Sequence, residues 1–267
     1  MLTAPGDVTT QSTHIPGVVG FFRELLAPGC CDIDLLAVNM RILAIETTDK
    51  MGAVAAASDG NLLCVLELDR RQRSAQSLAP GLHDLLRAVG WQPEDVQLVA
   101  VAIGPGSFTG LRIGVTTAKV FAYAIGAEIL GVDTLETIAA AAPNDVFAVD
   151  AALDAQRGDI VARRFVRGTD GWFAATGRQE ILPIEAWLGR LVAEIPVSGP
   201  VLAKLAGRLP AGVIALDPAL WFPRAAQVAR LAWHHHASGR RDDLWRLVPN
   251  YARRSAAEEK SPLVATH

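Results

Sequence analysis

A two-lobed α/β fold is predicted by three features of this 267-residue sequence. Three short apolar segments separated by turn residues begin near residue 42, which is typical of a strand meander. Helical and strand-like periodicities then alternate along the chain, as they do in α/β domains. After Pro143-Asn144-Asp145, a cluster of turn formers, the strand pattern begins again, which indicates a second lobe.

The first lobe begins with three strands, predicted at residues 42–46, 52–58 and 62–68. Asp59-Gly60-Asn61 joins the second strand to the third, because these residues tolerate the positive φ angles of a hairpin turn. A helix is predicted over residues 74–89, since its leucines recur on one stripe.

Four further elements complete the first lobe. They are a buried strand at 96–103, a helix at 115–125, a short strand at 128–132 and a helix at 134–142. A three-stranded meander followed by alternating helices and strands is the pattern of one half of an actin-like (ASKHA, ribonuclease H-like) protein. That fold is therefore the one predicted.

The second lobe is predicted to be a shortened and irregular copy of the first. Its strands are predicted at 146–151, 159–166 and 172–175, and its helices at 184–195 and 225–238. The expected domain organisation is an N-terminal lobe at residues 40–143 and a C-terminal lobe at residues 144–267. Residues 1–39 precede the pattern and are expected to be a poorly ordered N-terminal extension.

A glycine-rich run joins the fourth strand to the next helix. It reads Gly104-Pro105-Gly106-Ser107-Phe108-Thr109-Gly110-Leu111-Arg112-Ile113-Gly114. Such a turn at a helix N-terminus can hold an anion, because unpaired amides and the helix dipole point the same way, and Thr109 can cap the helix. A tight turn without a ligand explains the same glycines. The spacing matches neither a P-loop nor a dinucleotide fingerprint.

This run, continued by Ala118-Lys119, closely resembles the signature of the TsaB (YeaZ) family. Four other segments agree with that family. They are residues 41–48, 131–136, 154–160 and 249–254. The resemblance covers about residues 40–260, and Met40 stands where a family member would normally start.

The resemblance implies a function in bacterial synthesis of N6-threonylcarbamoyladenosine at position 37 of tRNAs that read codons beginning with A. It implies a non-catalytic subunit that binds and activates a catalytic paralogue, TsaD. A TsaE-type ATPase would reset the complex, and tRNA would be reached through it. The family also implies a bundle of two helices as the interface, used for the paralogue and for homodimers.

The resemblance places this interface on the helix at 74–89 and on the signature helix. Apolar residues spread over more than one face of the signature helix, which is more than a half-exposed helix needs. The expected interface residues are Leu78, Leu82, Leu85, Arg112, Val115, Thr116 and Lys119. The alternative is that both helices only cover their own sheet.

Candidates for nucleotide binding lie in the loop after the first strand and in the signature turn, since actin-like ATPases hold phosphates with these two segments. They are Glu46, Thr47, Thr48, Gly104, Gly106 and Ser107. Glu46 is one methylene longer than the aspartate usual in the family, which would displace a metal. A polar cluster that caps the strand end is the alternative. The chain alone is expected to have no cofactor, and ATP or ADP is expected to bind, if at all, in the assembled complex.

No catalytic residue and no metal ligand is predicted. The catalytic paralogue binds its metal with two helical histidines four residues apart, whereas none of the six histidines here has that spacing. His234, His235 and His236 are expected on the exposed face of a helix. Ser198-Gly199-Pro200 lacks the Gly-x-Gly of an adenosine-binding loop, and Pro200 removes an amide.

Composition adds mostly exclusions. A net charge of −3 is not typical of a nucleic-acid-binding domain. Three cysteines without C-x-x-C spacing favour the reducing cytoplasm, and no apolar run reaches the ~18–20 residues of a membrane span. Five arginines are concentrated near the C-terminus. They could form a solvated face of the protein, or they could contact tRNA phosphates. They are Arg240, Arg241, Arg246, Arg253 and Arg254.

Two classes of function stay open. The first is the non-catalytic subunit that the resemblance implies. The second is an enzyme, either an actin-like small-molecule kinase or ATPase, or an M22-type metallopeptidase. The missing histidine pair counts against the peptidase. Glu46 and the absent Gly-x-Gly motif count against the kinase.

Overall fold

The computed structural model describes residues 39–49, 51–69, 74–205 and 207–253. Apart from Asn39, the expected extension at 1–39 lies outside the described residues, and the described residues from Asn39 to Arg253 form one compact unit. The strands are β1 (Arg41–Glu46), β2 (Ala53–Ser58), β3 (Asn61–Glu67), β4 (Leu98–Gly104), β5 (Glu128–Asp133), β6 (Ala148–Asp154), β7 (Asp159–Arg167), β8 (Phe173–Ala175), β9 (Glu180–Pro183) and β10 (Val197–Ser198). The α-helices are α1 (Ser74–Val89), α2 (Phe108–Ile125), α3 (Thr134–Ala139), α4 (Ile184–Leu188) and α5 (Ala225–Ala237).

The first sheet has the strand order β3-β2-β1-β4-β5. The first three strands form an antiparallel meander, and β4 and β5 then run parallel to β1. Helices α1 and α2 are the crossovers before and after β4, as parallel neighbours require. The predicted actin-like α/β architecture is confirmed.

The second sheet has the order β10-β6-β7-β8, and β9 pairs with the other end of β7. Helix α3 covers one face of this sheet, and α4 with a 3₁₀ turn at Pro200–Lys204 covers the other. The short strands β9 and β10 have too few residues to show a period, and the sequence does not predict them.

Three helix boundaries differ from prediction by three residues or more, and one of them is the end of α3, at Ala139 instead of residue 142. Helix α2 begins at Phe108, seven residues before the expected start, because the Ser107 hydroxyl accepts a hydrogen bond from Gly110 N at 3.3 Å. Ser107, not Thr109, is therefore the N-cap. Helix α4 ends at Leu188 instead of residue 195, directly before Gly189.

The predicted C-terminal lobe at 144–267 is too long. Helix α5 packs on the first sheet, where Val228, Ala229 and Ala232 are buried against β1, β2 and β4. Alanines on that sheet face, such as Ala55 and Ala100, allow the helix to approach closely. The segment after α5 also stays with the first lobe, since Gly131 N donates to the Asp242 carboxylate at 2.8 Å.

Both faces of the first sheet are therefore covered, by α1 and α2 on one side and by α5 on the other. This explains why β1 and β4 are continuous apolar runs without the alternation of a half-exposed strand. None of the described helices combines the length and the apolar composition needed to cross a bilayer.

We expect Leu231→Ala in α5 to lower the local stability of the first sheet and to leave that of the second sheet unchanged. Leu231 is fully buried against the first sheet, and removing a buried leucine side chain costs about 2–5 kcal/mol. Hydrogen exchange should accelerate in β1 and β2 more than in β6 and β7. The matched control is Leu202→Ala, which is buried against the second sheet and should show the opposite pattern. Faster exchange in β6 and β7 alone for Leu231→Ala would contradict the packing of α5.

Candidate functional site

The signature turn and the loop after β1 are joined by direct hydrogen bonds. Thr47 Oγ1 donates to the Gly110 carbonyl at 2.8 Å, and Ser107 N donates to the Thr48 carbonyl at 2.8 Å. The two segments that were predicted to face a nucleotide therefore come together, and they contact each other directly.

Three glycines at four-residue spacing make this contact. A Cβ atom on Gly110 would lie 1.9 Å from the Thr47 carbonyl oxygen, and one on Gly114 would lie 2.3 Å from Thr47 Oγ1. A Cβ on Gly106 would lie 2.6 Å from the Cβ of Thr48. Gly110 and Gly114 lie four residues apart on one face of α2, where they form a groove that the β1 loop fills, and Gly106 makes the same kind of contact just before the helix begins.

This packing occupies donors of the expected anion cradle. The Ser107 amide donates to Thr48, and the Ser107 hydroxyl caps the amide of Gly110. The amide and the hydroxyl of Ser107 are therefore engaged within the chain and are not free to bind a phosphate group in this arrangement. The tight turn without a ligand, the alternative explanation of the glycines, matches the geometry.

Glu46 lies at the end of β1 beneath this turn and is fully buried. One carboxylate oxygen accepts hydrogen bonds from the amide and the hydroxyl of Thr48, and the other has no partner among the described residues. Burial raises the pKa of Glu46 to about 7, against the opposing effect of the Thr48 hydrogen bonds. The carboxyl caps the strand end and points away from a free surface.

A C-terminal segment, residues 245–253, runs along the outer side of α2. Lys119 Nζ donates to the carbonyls of Trp245 and Leu247, both at 3.1 Å. Asn250 N donates to the Ile103 carbonyl at 2.6 Å. Gly104 has a φ of 117°, and a Cβ there would lie 2.3 Å from the Asn250 carbonyl oxygen. Gly104, the first glycine of the signature, therefore allows the backbone of the C-terminal segment to approach β4 closely.

Aromatic and cationic side chains hold the same segment at the first turn of α2. Phe108 stacks on Tyr251 with ring centroids 4.6 Å apart, and the Arg112 guanidinium lies 4.1 Å from the Phe108 centroid. Arg112 Nε donates to the Tyr251 hydroxyl at 3.1 Å. Further along, Arg253 pairs with Asp159 of β7, so the segment reaches the second lobe.

The structure corrects part of the predicted interface. Four of its members, Leu78, Leu82, Leu85 and Val115, are buried in the core between α1, α2 and the first sheet. The remaining three lie on the other side of α2. Arg112 and Thr116 are exposed there, and Lys119 is half-buried by its contacts with the C-terminal segment.

An apolar surface that the sequence analysis missed lies beside these three residues. Val120 and Tyr123 on α2 are 63% and 67% exposed, and Trp245 is 70% exposed. Tyr123 and Trp245 meet edge to face at 5.4 Å. We call Val120, Tyr123 and Trp245 the outer patch. The signal was available, because Val120 and Tyr123 lie three residues apart, off the stripe of Gly114, Ala118 and Ala122 that faces the sheet.

Other sequence candidates do not converge on a site. His235 Nε2 lies 2.9 Å from Glu136 Oε1, and His236 Nε2 lies 2.6 Å from Glu128 Oε2. These histidines are half-buried and join α5 to neighbouring elements, so the expected solvated helix face is wrong for them. In the part of the chain that the structure describes, no group of three His, Cys, Asp or Glu residues could hold a metal.

The loop at Ser198-Gly199 is also closed by packing, since a Cβ on Gly199 would lie 1.8 Å from the Ala152 carbonyl oxygen. Most of the arginines near the C-terminus are paired within the chain. Arg240 pairs with Asp242 and Arg241 pairs with Glu128. Arg254 lies outside the described residues.

Comparison with known proteins gives one consistent result. The family model for TsaD, tRNA N6-adenosine threonylcarbamoyltransferase, matches residues 69–209. The tRNA threonylcarbamoyladenosine biosynthesis protein TsaB of Escherichia coli is 31% identical over 236 residues, which are 84% of this chain and 99% of that protein.

Two solved structures from Pseudomonas aeruginosa are similar in fold. One is described as similar to the peptidase YeaZ; it has a TM-score of 0.71 and 27% identity, and the match covers 80% of this chain and 99% of that one. The other is YeaZ, with a TM-score of 0.69, 27% identity, and coverage of 79% and 99%.

Gly110→Ala is expected to destabilise the chain by about 3 kcal/mol, because its methyl group would overlap the Thr47 carbonyl and the backbone of the β1 loop must move. Gly177→Ala is the matched control. A Cβ there meets nothing within 4 Å, and a change within about 0.5 kcal/mol is expected. Urea unfolding of both variants measures the difference. Equal stability would mean that the groove on α2 is not needed for packing.

The stability of the chain should depend on pH through Glu46. Its pKa rises from the ordinary value of 4.5 to about 7 in the folded chain, so the protonated carboxyl stabilises the fold. That contribution is complete below pH 4.5 and is lost as the pH rises to 7. Glu46→Gln does not titrate and keeps an acceptor for Thr48.

The stability of Glu46→Gln relative to the wild type should therefore rise by about 2–3 kcal/mol between about pH 5 and pH 8. Urea unfolding of both proteins at each pH measures it, and all other titrating groups cancel in the difference. A difference that stays constant with pH would show that Glu46 titrates normally.

Proposed function

The chain belongs to the TsaB family of tRNA threonylcarbamoyladenosine biosynthesis proteins, and from that membership we propose that it is a non-catalytic partner subunit. In this role it binds and activates a TsaD-type catalytic paralogue, which modifies adenosine 37 in tRNAs that read codons beginning with A. The observation that carries the proposal is a match to almost the whole of the Escherichia coli TsaB protein.

Chemistry of the candidate site supports a subunit without its own reaction. The sequence lacks the histidine pair that the catalytic paralogue uses for its metal. Glu46, the carboxylate of the first loop, is buried and bonded to Thr48. The Ser107 amide and hydroxyl are engaged within the chain. A kinase or ATPase would need these groups to face a phosphate.

The partner surface is best placed on the outer side of α2. Three large apolar side chains are exposed together in the outer patch, flanked by the exposed Arg112 and Thr116. Apolar and aromatic side chains with an arginine at the edge are typical of protein interfaces. Lys119 supports this surface by holding the C-terminal segment that carries Trp245.

Activation requires only that the catalytic subunit be held in its competent conformation. A partner achieves this when it binds that conformation more tightly than the others, without contributing a reacting group. The remaining parts of the proposal follow from the family. A TsaE-type ATPase resets the complex, tRNA is bound through the complex, ATP or ADP is held only after assembly, and the same surface can join two copies of this chain.

The function is tested by depleting the chain in the organism that encodes it and measuring N6-threonylcarbamoyladenosine in bulk tRNA. The modified nucleoside should fall and return when the wild-type chain is restored. Val120→Glu should fail to restore it, because a carboxylate in the outer patch opposes apolar contact with the paralogue. Its thermal unfolding should match the wild type, since Val120 is exposed.

Val115→Glu is the matched control on the same helix. Val115 is buried in the core, so this variant should unfold at a lower temperature and lose binding for that reason. Normal modification after depletion would overturn the function. Co-purification of Val120→Glu with the paralogue would overturn only the interface. ATP turnover by the purified chain without its partner would favour the kinase or ATPase alternative.

A further inference from the structure

A cleft of about 250 Å³ opens on the second lobe, between β7, the loop at residues 176–179, β9 and α4. Apolar side chains of Leu182, Trp187 and Leu191 line part of it. Four arginines line the rest, namely Arg163, Arg164, Arg178 and Arg190. Since the whole chain carries a net charge of −3, this concentration of guanidinium groups needs an explanation.

Two of the four arginines are held in place by the chain. Arg164 forms a bidentate pair with Asp150, at 2.8 and 2.7 Å, and the Asp150 side chain is 9% exposed. Arg163 Nε donates to the Gly177 carbonyl at 2.8 Å, which fixes the 176–179 loop over β7. These contacts preorganise the cleft, and each guanidinium keeps further N–H groups for a ligand.

The other two arginines are available to an anion. Arg178 has no hydrogen-bonding or ionic partner among the described residues and is exposed on the loop. Arg190 pairs with Glu180 at 2.7 Å, but both side chains are more than half exposed. Such an exposed pair contributes little and is readily exchanged for a stronger ligand.

The balance of charge in the cleft is therefore positive. Its lining has four guanidinium groups and two carboxylates, Asp150 and Glu180. Arg164 pairs with Asp150, and Arg190 pairs with Glu180. Arg163 lies 4.0 Å from Asp133, a carboxylate outside the lining, and Arg178 has no carboxylate partner among the described residues. The excess of guanidinium groups over carboxylates within one cleft makes it a candidate for a contact with an anionic partner.

We propose that this cleft binds a phosphodiester group of RNA, with the adjoining ribose or base on the apolar floor. Guanidinium groups match phosphate oxygens in bidentate geometry, and several from different elements position a backbone without reading its sequence. This inference rests on the proposed function, which makes RNA the anionic macromolecule that the assembled complex meets.

The test is binding of fluorescently labelled, unmodified tRNA to the complex of this chain with its catalytic paralogue, at about 50 and 200 mM salt. The double variant Arg178→Glu with Arg190→Glu should bind about tenfold more weakly at the lower salt concentration. Its salt dependence should be less steep by about 1.5 in the slope of log K against log salt, since two phosphate contacts are lost. Arg230→Glu, which reverses a single exposed charge on α5, should stay within about twofold.

Co-purification of the double variant with the paralogue should be normal, which separates this proposal from the proposed function. Unchanged tRNA affinity and slope in the double variant would overturn the cleft as an RNA site while leaving the subunit role intact. Equal displacement of tRNA by poly-glutamate at matched charge would also overturn it, because the cleft would then accept any polyanion. Loss of affinity to the same extent in Arg230→Glu would overturn it as well, by showing a general effect of charge.

Discussion

The contact between the Thr47 carbonyl and the backbone of Gly110 is the constraint on which the rest of the first lobe depends. A side chain at position 110 would overlap that oxygen, so the β1 loop can meet the start of α2 only where α2 has glycine. Hydrogen bonds from Thr47 Oγ1 and Ser107 N complete the contact. The rotation of α2 on the sheet is thereby set, with Val115 and Ala118 in the core and Val120 facing outward.

The rotation of α2 in turn determines what the molecule presents to a partner. Phe108, Arg112, Lys119 and Tyr123 follow one side of the helix, and the C-terminal segment lies along them from Tyr251 back to Trp245. The exposed apolar surface is thus built from two distant parts of the chain. Without this segment the exposed surface would lack Trp245, its most exposed aromatic side chain.

The glycine-rich signature shows how one pattern supports two physical explanations. Glycines before a helix can expose amides to a phosphate, or they can let two backbones approach each other. The sequence contains Gly106, Gly110 and Gly114 in either case. Only the positions of Thr47 and Thr48 decide between them, and these threonines lie about sixty residues away in the chain. The interface leucines were assigned to a surface for a similar reason, since a stripe on α1 is the same whether it faces a partner or its own sheet.

By itself the sequence determined the meander, the alternation of helices and strands, the actin-like fold and the family, because these are recorded in local periodicity and in a contiguous motif. It also grouped Glu46, Thr47, Thr48 and Ser107 as candidates for nucleotide binding, and the structure places these residues together without testing that role. Tertiary structure alone decided that α5 returns to the first sheet, that Leu82 is core while Val120 is surface, and that Glu46 is buried. Each of these three features depends on which face of a helix or strand packs against a segment that is remote in sequence. Helical periodicity shows that a helix has an apolar face, but it does not show which segment packs against that face.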